Sequence, residues 1–397
     1  MKAIFGKSPV ISGAAIPPRS KSLTHRALIC GALTNGARIK NILRCDDTLA
    51  TLECLELLGA RYRFEGNDIY IGGFDPFASR GETVLDCRDS GSTLRFLLPL
   101  ALLSGDKTVF TGEPRLIGRV GYTFAPLCHE YAAESRSVTV SGGIVSDEYK
   151  LPADVSSQYV SGLMFALAAA GKRRVIHFST AVESLPYIKM TSAVLSGFGV
   201  ESEVSESGIT VRGGRLFPAG EFDIEPDYSA AAALAAFNYI GGNVDIPGLG
   251  GASLQGDSVF PQVFCDVFAG KTVDLSDTPD LAPICFALAA FCGKGSFCGT
   301  RRLRYKESDR ISSMSAELAK FGITADAGDN TVLLRGRLKE PSAPLCSHGD
   351  HRVVFALSLL CSHTGGVILN AEAVGKSFPG YFDILKGIGV DVALADE

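Results

Sequence analysis

Six stretches of the chain share one pattern: a Ser or Asp, then ten to fifteen Ala/Leu-rich residues, then Gly. They begin at Ser20, Ser90, Ser156, Asp227, Asp280 and Asp350, at intervals of 70, 66, 71, 53 and 70 residues. Ser and Asp are favoured helix N-caps, and Gly is the favoured stop, so each stretch is expected to be a helix that starts at the named residue. These helices are apolar on every face and must therefore be buried. In most repeats a second helix ends in Gly and runs into an alternating strand, as in "LELLGARYRF" and "LAKFGITADA". The chain is thus read as an α/β protein built from six units of about seventy residues.

At 397 residues the chain exceeds what one core usually serves, so six units imply two domains of three units each. A net charge of −5 argues against a general nucleic-acid surface. The apolar runs, such as "LRFLLPLALL", stop after about ten residues, too short to span a bilayer. "MKAIFGKSPVISG" has no apolar signal region, and the eleven cysteines form no CxxC pair. Both features lead to the expectation of a cytoplasmic protein with reduced thiols. His348 and His351 in "HGDH" lack further ligands at zinc spacing, so no metal site is expected.

The reactive side chains gather at the helix starts. The first carries Lys21, Ser22 and Arg26; the second Asp89, Gly91, Ser92 and Arg95; the third Ser156, Ser157 and Gln158. Asp227 and Asp280 open the fourth and fifth, and Asp350, His351 and Arg352 the sixth. Free N–H groups and partial positive charge at such ends favour anions, and Ser, Lys and Arg complete a phosphate site. Loops add Arg115 and Arg119, Ser184 and Tyr187, Lys376, and the charge-dense "RYKESDR" with Lys306, Glu307 and Arg310. If both domains point their helix starts at one another, an electropositive cleft results in an acidic protein. Neither GxxxxGK[ST] nor GxGxxG after a strand is present, which argues against ATP and NAD.

The ordered series "SKS…HR", "DSGSTLR", "TGEPR…R", "SSQ", "SLPYI", "QGD", "PD", "KESDR", "DHR" and "GKSFPGYF" resembles the enolpyruvyl transferases along essentially the whole chain. The resemblance implies two domains of three βαβαββ-like units with buried parallel helices. Residues 1–18 and 227–397 would form one lobe and 19–226 the other, with the active site in the cleft and a clamp-like closure. It also implies transfer of the enolpyruvyl group of phosphoenolpyruvate to the 5-hydroxyl of shikimate 3-phosphate, in the shikimate pathway to chorismate and the aromatic amino acids. The chemistry is addition then elimination through a tetrahedral intermediate, in a monomer without cofactor or metal. Carried over by motif, Lys21, Gly91, Arg119, Gln158, Arg310, Arg352 and Lys376 would hold phosphoenolpyruvate. Lys21, Ser22, Arg26, Ser156, Ser157, Gln158, Ser184, Tyr187, Asp280 and Lys306 would hold shikimate 3-phosphate. Asp280 would take the hydroxyl proton, Glu307 would handle the methyl proton, and Lys21 would assist.

The chain departs from the family pattern at Arg19, where Gly is usual, and at Asp89, Ser92, Val120 and Arg302, where Asn, Thr, Pro and sometimes Asn stand. Arg19 and Asp89 bear on the shape and charge of the phosphoenolpyruvate pocket. Two alternatives compete. The family branch acting on UDP-N-acetylglucosamine usually has a reactive Cys in the loop that reads "GEPRLIGR" here, and this loop has none. A scaffold binding anions without chemistry would not need carboxylates such as Asp280 and Glu307 facing them.

Overall fold

The computed structural model of the chain describes residues 1–120, 123–217 and 220–396. It divides into two compact units, one of Arg19–Glu225 and one of Met1–Pro18 with Pro226–Glu397. Five of the six apolar stretches become helices capped by the expected side chain. Ser20 accepts from Leu23 N, Ser90 from Thr93 N, Ser156 from Gln158 N, Asp227 from Ala230 N and Asp350 from Arg352 N. The helices that follow span Lys21–Ala32, Gly91–Ala101, Ser157–Ala169, Tyr228–Ala235 and His351–Thr364. The fifth repeat differs: its helix is Ala282–Cys292, with Leu281 at the cap position and Asp280 outside it. Pro283 sits in that first turn, where its missing N–H costs nothing.

Three four-stranded sheets belong to Arg19–Glu225, and they share one topology. In one, Thr83–Asp86 runs parallel to Gly105–Thr111, and Ser137–Gly142 and Glu130–Ala133 continue it antiparallel. Phe222–Asp223, at the end of this unit, returns to lie parallel to Ala37–Lys40 of its first repeat. In the other unit, Lys2–Phe5 lies between Gly366–Leu369 and Val392–Ala395, antiparallel to both. The N-terminal segment thus completes the last repeat. The repeat that starts at Asp227 is reduced to the parallel pair Ser12–Ala14 and Asn243–Asp245, which accounts for its short interval of 53 residues.

The six apolar helices are buried as their composition requires. Every residue of Tyr228–Ala235 is buried, and so is all of His351–Thr364 except His363. Within Arg19–Glu225 the second and third helices meet closely enough that a β-carbon on Gly162 would overlap the Arg95 carbonyl oxygen. Phe96 and Phe165 from these helices pack edge to face, 5.4 Å apart. Polar groups inside this core are paired in series. His25 Nδ1 lies 2.8 Å from the Thr51 hydroxyl, Thr51 lies 2.7 Å from Thr93, and Thr93 donates to Ser90 at 2.7 Å. Burial, with Lys21 and Arg26 nearby, holds His25 well below the usual imidazole range, so it is neutral. Close packing and paired polar atoms fix the helix starts on which the reactive groups stand. Among the described residues no helix is long and apolar enough to cross a membrane.

Candidate active site

In Arg19–Glu225 the starts of the first three apolar helices converge. Arg26, one turn into the first, donates from Nε to Thr191 at 2.8 Å, from Nη1 to the Ser22 carbonyl at 2.8 Å and from Nη2 to the Tyr187 carbonyl at 3.2 Å. Burial pushes its guanidinium down to about 10, still charged at neutral pH. Those contacts tie Ser22 to the Ser184–Tyr187 turn, where Ser184 adopts a left-handed φ of +55°. The strain of a non-glycine residue there persists only when its surroundings enforce it, which is a frequent mark of a ligand site.

Arg95 bridges the second and third helices, donating to Gln158 Oε1 at 2.9 Å and to the Arg119 carbonyl at 3.2 Å. Gln158 in turn donates to Ser92 at 2.9 Å. Gly91 lies in the same corner, where a β-carbon would approach the Arg95 guanidinium at 2.5 Å. Tyr159 donates to the Arg119 carbonyl at 3.1 Å and also contacts the Val120 carbonyl. The loop carrying Arg119 is therefore held by its backbone. The Arg119 side chain bonds the Arg115 carbonyl at 3.2 Å, and its Nη2 lies 3.8 Å from Asp89. Arg115 itself is exposed.

Sequence reasoning missed one partner here. Asp47, in the first turn of the Asp46–Leu57 helix, holds the Lys21 ammonium at 2.7 Å. The paired acids in "CDDT" were a visible signal, but the contact joins two helices whose placement no local pattern discloses. Arg19 does not enter the cluster through its Nη1, which donates to the Ile224 carbonyl at 2.9 Å.

In the other unit the charges of "RYKESDR" fold around one guanidinium. Arg310, only 1% exposed in its side chain, opens the Arg310–Lys320 helix. It meets three carboxylates: Asp350 at 2.9 Å, Glu307 at 2.9 Å and Asp280 at 2.8 Å. Ser308 adds a hydroxyl bond to Asp350 at 3.0 Å. Asp280 is also 3.6 Å from Lys306 and 3.6 Å from Arg352. The expectation that Asp280 caps the fifth helix is thus corrected, because three cations compete for its carboxylate and outweigh the helix N–H groups. Burial opposes its ionisation, yet Lys306, Arg310 and Arg352 hold it well below the usual carboxylate range. Burial also lowers Lys306, partly offset by Asp280.

Arg302 is buried as well, and its charge helps to depress Lys306. Lys376 donates to the Gly349 carbonyl at 2.9 Å, just before Asp350 and Arg352. His351 instead turns inward and packs edge to face on Phe355, 5.8 Å away. Three carboxylates on one buried guanidinium, flanked by lysine and arginine, can accept a proton next to a bound anion. Among the described residues no cluster of His, Cys, Asp and Glu could hold a metal ion.

Comparison with known proteins supplies the context. A family model described as EPSP synthase (3-phosphoshikimate 1-carboxyvinyltransferase) matches residues 7–385. A protein of that second name from Clostridium kluyveri is 31% identical, over 99% of this chain and 98% of its own. One from Methanopyrus kandleri is 34% identical, over 97% of each. The fold is that of EPSP synthase from Acinetobacter baumannii, with a TM-score of 0.77 at 21% identity, covering 100% of this chain and 99% of that one.

Proposed function

The chain belongs to the EPSP synthase (3-phosphoshikimate 1-carboxyvinyltransferase) family, and we propose how its two polar clusters divide that reaction. The enzyme transfers the enolpyruvyl group of phosphoenolpyruvate to the 5-hydroxyl of shikimate 3-phosphate and releases phosphate. In the addition step the hydroxyl oxygen bonds to C2 of phosphoenolpyruvate, the hydroxyl proton leaves, and C3 gains a proton to become methyl. In the elimination step the C2–phosphate bond breaks and a methyl proton leaves, restoring the methylene. The protein must supply anion clamps, a proton acceptor and a proton donor, and no cofactor.

Ser22, Arg26, Ser156, Ser157, Gln158, Ser184 and Tyr187, with Lys306, take the shikimate phosphate. Lys21, Gly91, Arg119, Gln158, Arg310, Arg352 and Lys376 take phosphoenolpyruvate. Asp280 accepts the hydroxyl proton, Glu307 handles the proton of the methylene carbon, and Lys21 assists. The observation that carries this reading is that Asp280 and Glu307 share the Arg310 guanidinium at 2.8 and 2.9 Å. Asp280 is a weak base while Lys306, Arg310 and Arg352 hold its pKa low. An arriving phosphate and carboxylate neutralise those cations and raise its basicity, so the base becomes effective when substrate is bound. Free thiols among the described residues fit a reducing cytoplasm, and a monomer is the working state the family resemblance implies.

Asp280→Asn tests the assignment. Turnover at saturating substrates is expected to fall by about 10²–10⁴, the usual share of a general base. Shikimate 3-phosphate still binds, through the Arg26 cluster. Stability drops by less than the roughly 3–5 kcal/mol of a broken buried pair, because Asp350 and Glu307 still compensate Arg310. A variant keeping more than about a tenth of its turnover would move the base elsewhere.

A further inference from the structure

The segment Cys346–Asp350, "CSHGD", joins a short edge strand to the sixth apolar helix, and it is held from one side by a contact outside the proposed clamp. Glu317 lies two turns beyond Arg310 on the same helix and is 2% exposed. Its Oε1 faces His348 Nε2 at 2.9 Å, while Oε2 accepts from Lys320 at 2.8 Å and from the Cys346 amide at 3.0 Å. Lys320 also donates to the Pro344 carbonyl at 2.9 Å. Burial alone would push the Glu317 carboxyl up, but the bonds from His348, Lys320 and Cys346 reverse this and hold it low.

Two successive residues of the segment are left-handed, His348 at φ +53° and Gly349 at +69°. Glycine takes that conformation freely, whereas histidine must be kept there by its contacts. The turn these residues make is closed by Asp350 N donating to the Ser347 carbonyl at 3.0 Å. It then holds two cationic side chains of the proposed clamp and the backbone of a third residue, Arg352. The Gly349 carbonyl receives Lys376, Asp350 Oδ2 receives Arg310 Nε, and Asp350 Oδ1 caps the helix at Arg352 N.

We propose that His348 is a positioning residue of the phosphoenolpyruvate clamp: its bond to Glu317 fixes the turn that sets Arg310, Arg352 and Lys376. The contact spans 31 positions of sequence and ties both ends of the clamp to one helix. The inference rests on the clamp assignment above.

The test uses the full chain with His348→Asn and His348→Gln. Asn accepts left-handed φ readily but its amide is too short to replace the imidazole, so backbone and contact are separated. Gln can reach Glu317 as a neutral donor. Phosphate release from shikimate 3-phosphate and phosphoenolpyruvate is followed while each substrate is varied. For His348→Asn the KM for phosphoenolpyruvate should rise by about three- to thirtyfold, a fraction of the loss expected for a charge-assisted bond. The KM for shikimate 3-phosphate and kcat should each change by less than about threefold, and His348→Gln should recover most of the loss. An unchanged KM for phosphoenolpyruvate in His348→Asn, or no recovery in His348→Gln, overturns the proposal. A wild-type chain that released no phosphate would overturn the clamp assignment instead.

Discussion

Asp89 places a carboxylate 3.8 Å from the Arg119 guanidinium, at a helix start otherwise suited to anions. A bound phosphate would have to share Arg119 with it and would feel its repulsion. Asp89→Asn is therefore expected to lower the KM for phosphoenolpyruvate, and Arg119→Ala to raise it by roughly tenfold to over a hundredfold. Steady-state kinetics of the two variants decides the matter, and shifts in the same direction would show that Asp89 and Arg119 do not compete. Asp257, in "QGD", behaves differently. Buried at 2% exposure and bonded by Ser229, its carboxyl is raised to about 7 by burial first and Asp280 second. A raised carboxyl contributes stability that is complete below about pH 4 and is lost as the pH rises to 7. Asp257→Asn lacks this slope. Between about pH 5 and 8 its stability relative to wild type should improve by about 1–3 kcal/mol, read from denaturation at both pH values. A gap that does not move would mean Asp257 ionises normally.

The apolar helices were legible because caps and burial are local chemistry: Ser20, Ser90, Ser156, Asp227 and Asp350 all cap where their sequence pattern places them. Asp280 was not, since its partners Lys306, Arg310 and Arg352 lie 26, 30 and 72 residues further on. The Lys21–Asp47 and His348–Glu317 contacts were hidden for the same reason, each joining separate elements. The arrangement of helices also depends on a residue whose role is invisible in one dimension. Gly162 lets the Ser157–Ala169 helix approach the Arg95 carbonyl, and that approach sets the Arg95–Gln158–Ser92 chain. Gly162→Ala should separate the two helices at a cost of about 1–3 kcal/mol in chemical denaturation and weaken phosphoenolpyruvate binding with it. Loss of less than about 0.5 kcal/mol would show that the interface yields freely.

At the scale of the molecule, one repeat is used six times, and most of its copies open on a polar helix start. In Arg19–Glu225 these starts assemble serines, Arg26, Arg95 and Gln158; in the other unit Asp280 and Asp350 join Glu307 around Arg310. The first set suits holding a phosphate ester, and the second suits moving protons beside an anion. One reaction that needs both is enolpyruvyl transfer. Steady-state phosphate release by the purified chain tests this most directly, with shikimate 3-phosphate and phosphoenolpyruvate supplied together, singly, and with UDP-N-acetylglucosamine replacing the shikimate ester. Phosphate should appear only when shikimate 3-phosphate and phosphoenolpyruvate are both present, matched one to one by the enolpyruvyl ether. Release with UDP-N-acetylglucosamine but not with shikimate 3-phosphate, or from phosphoenolpyruvate alone, would contradict the account.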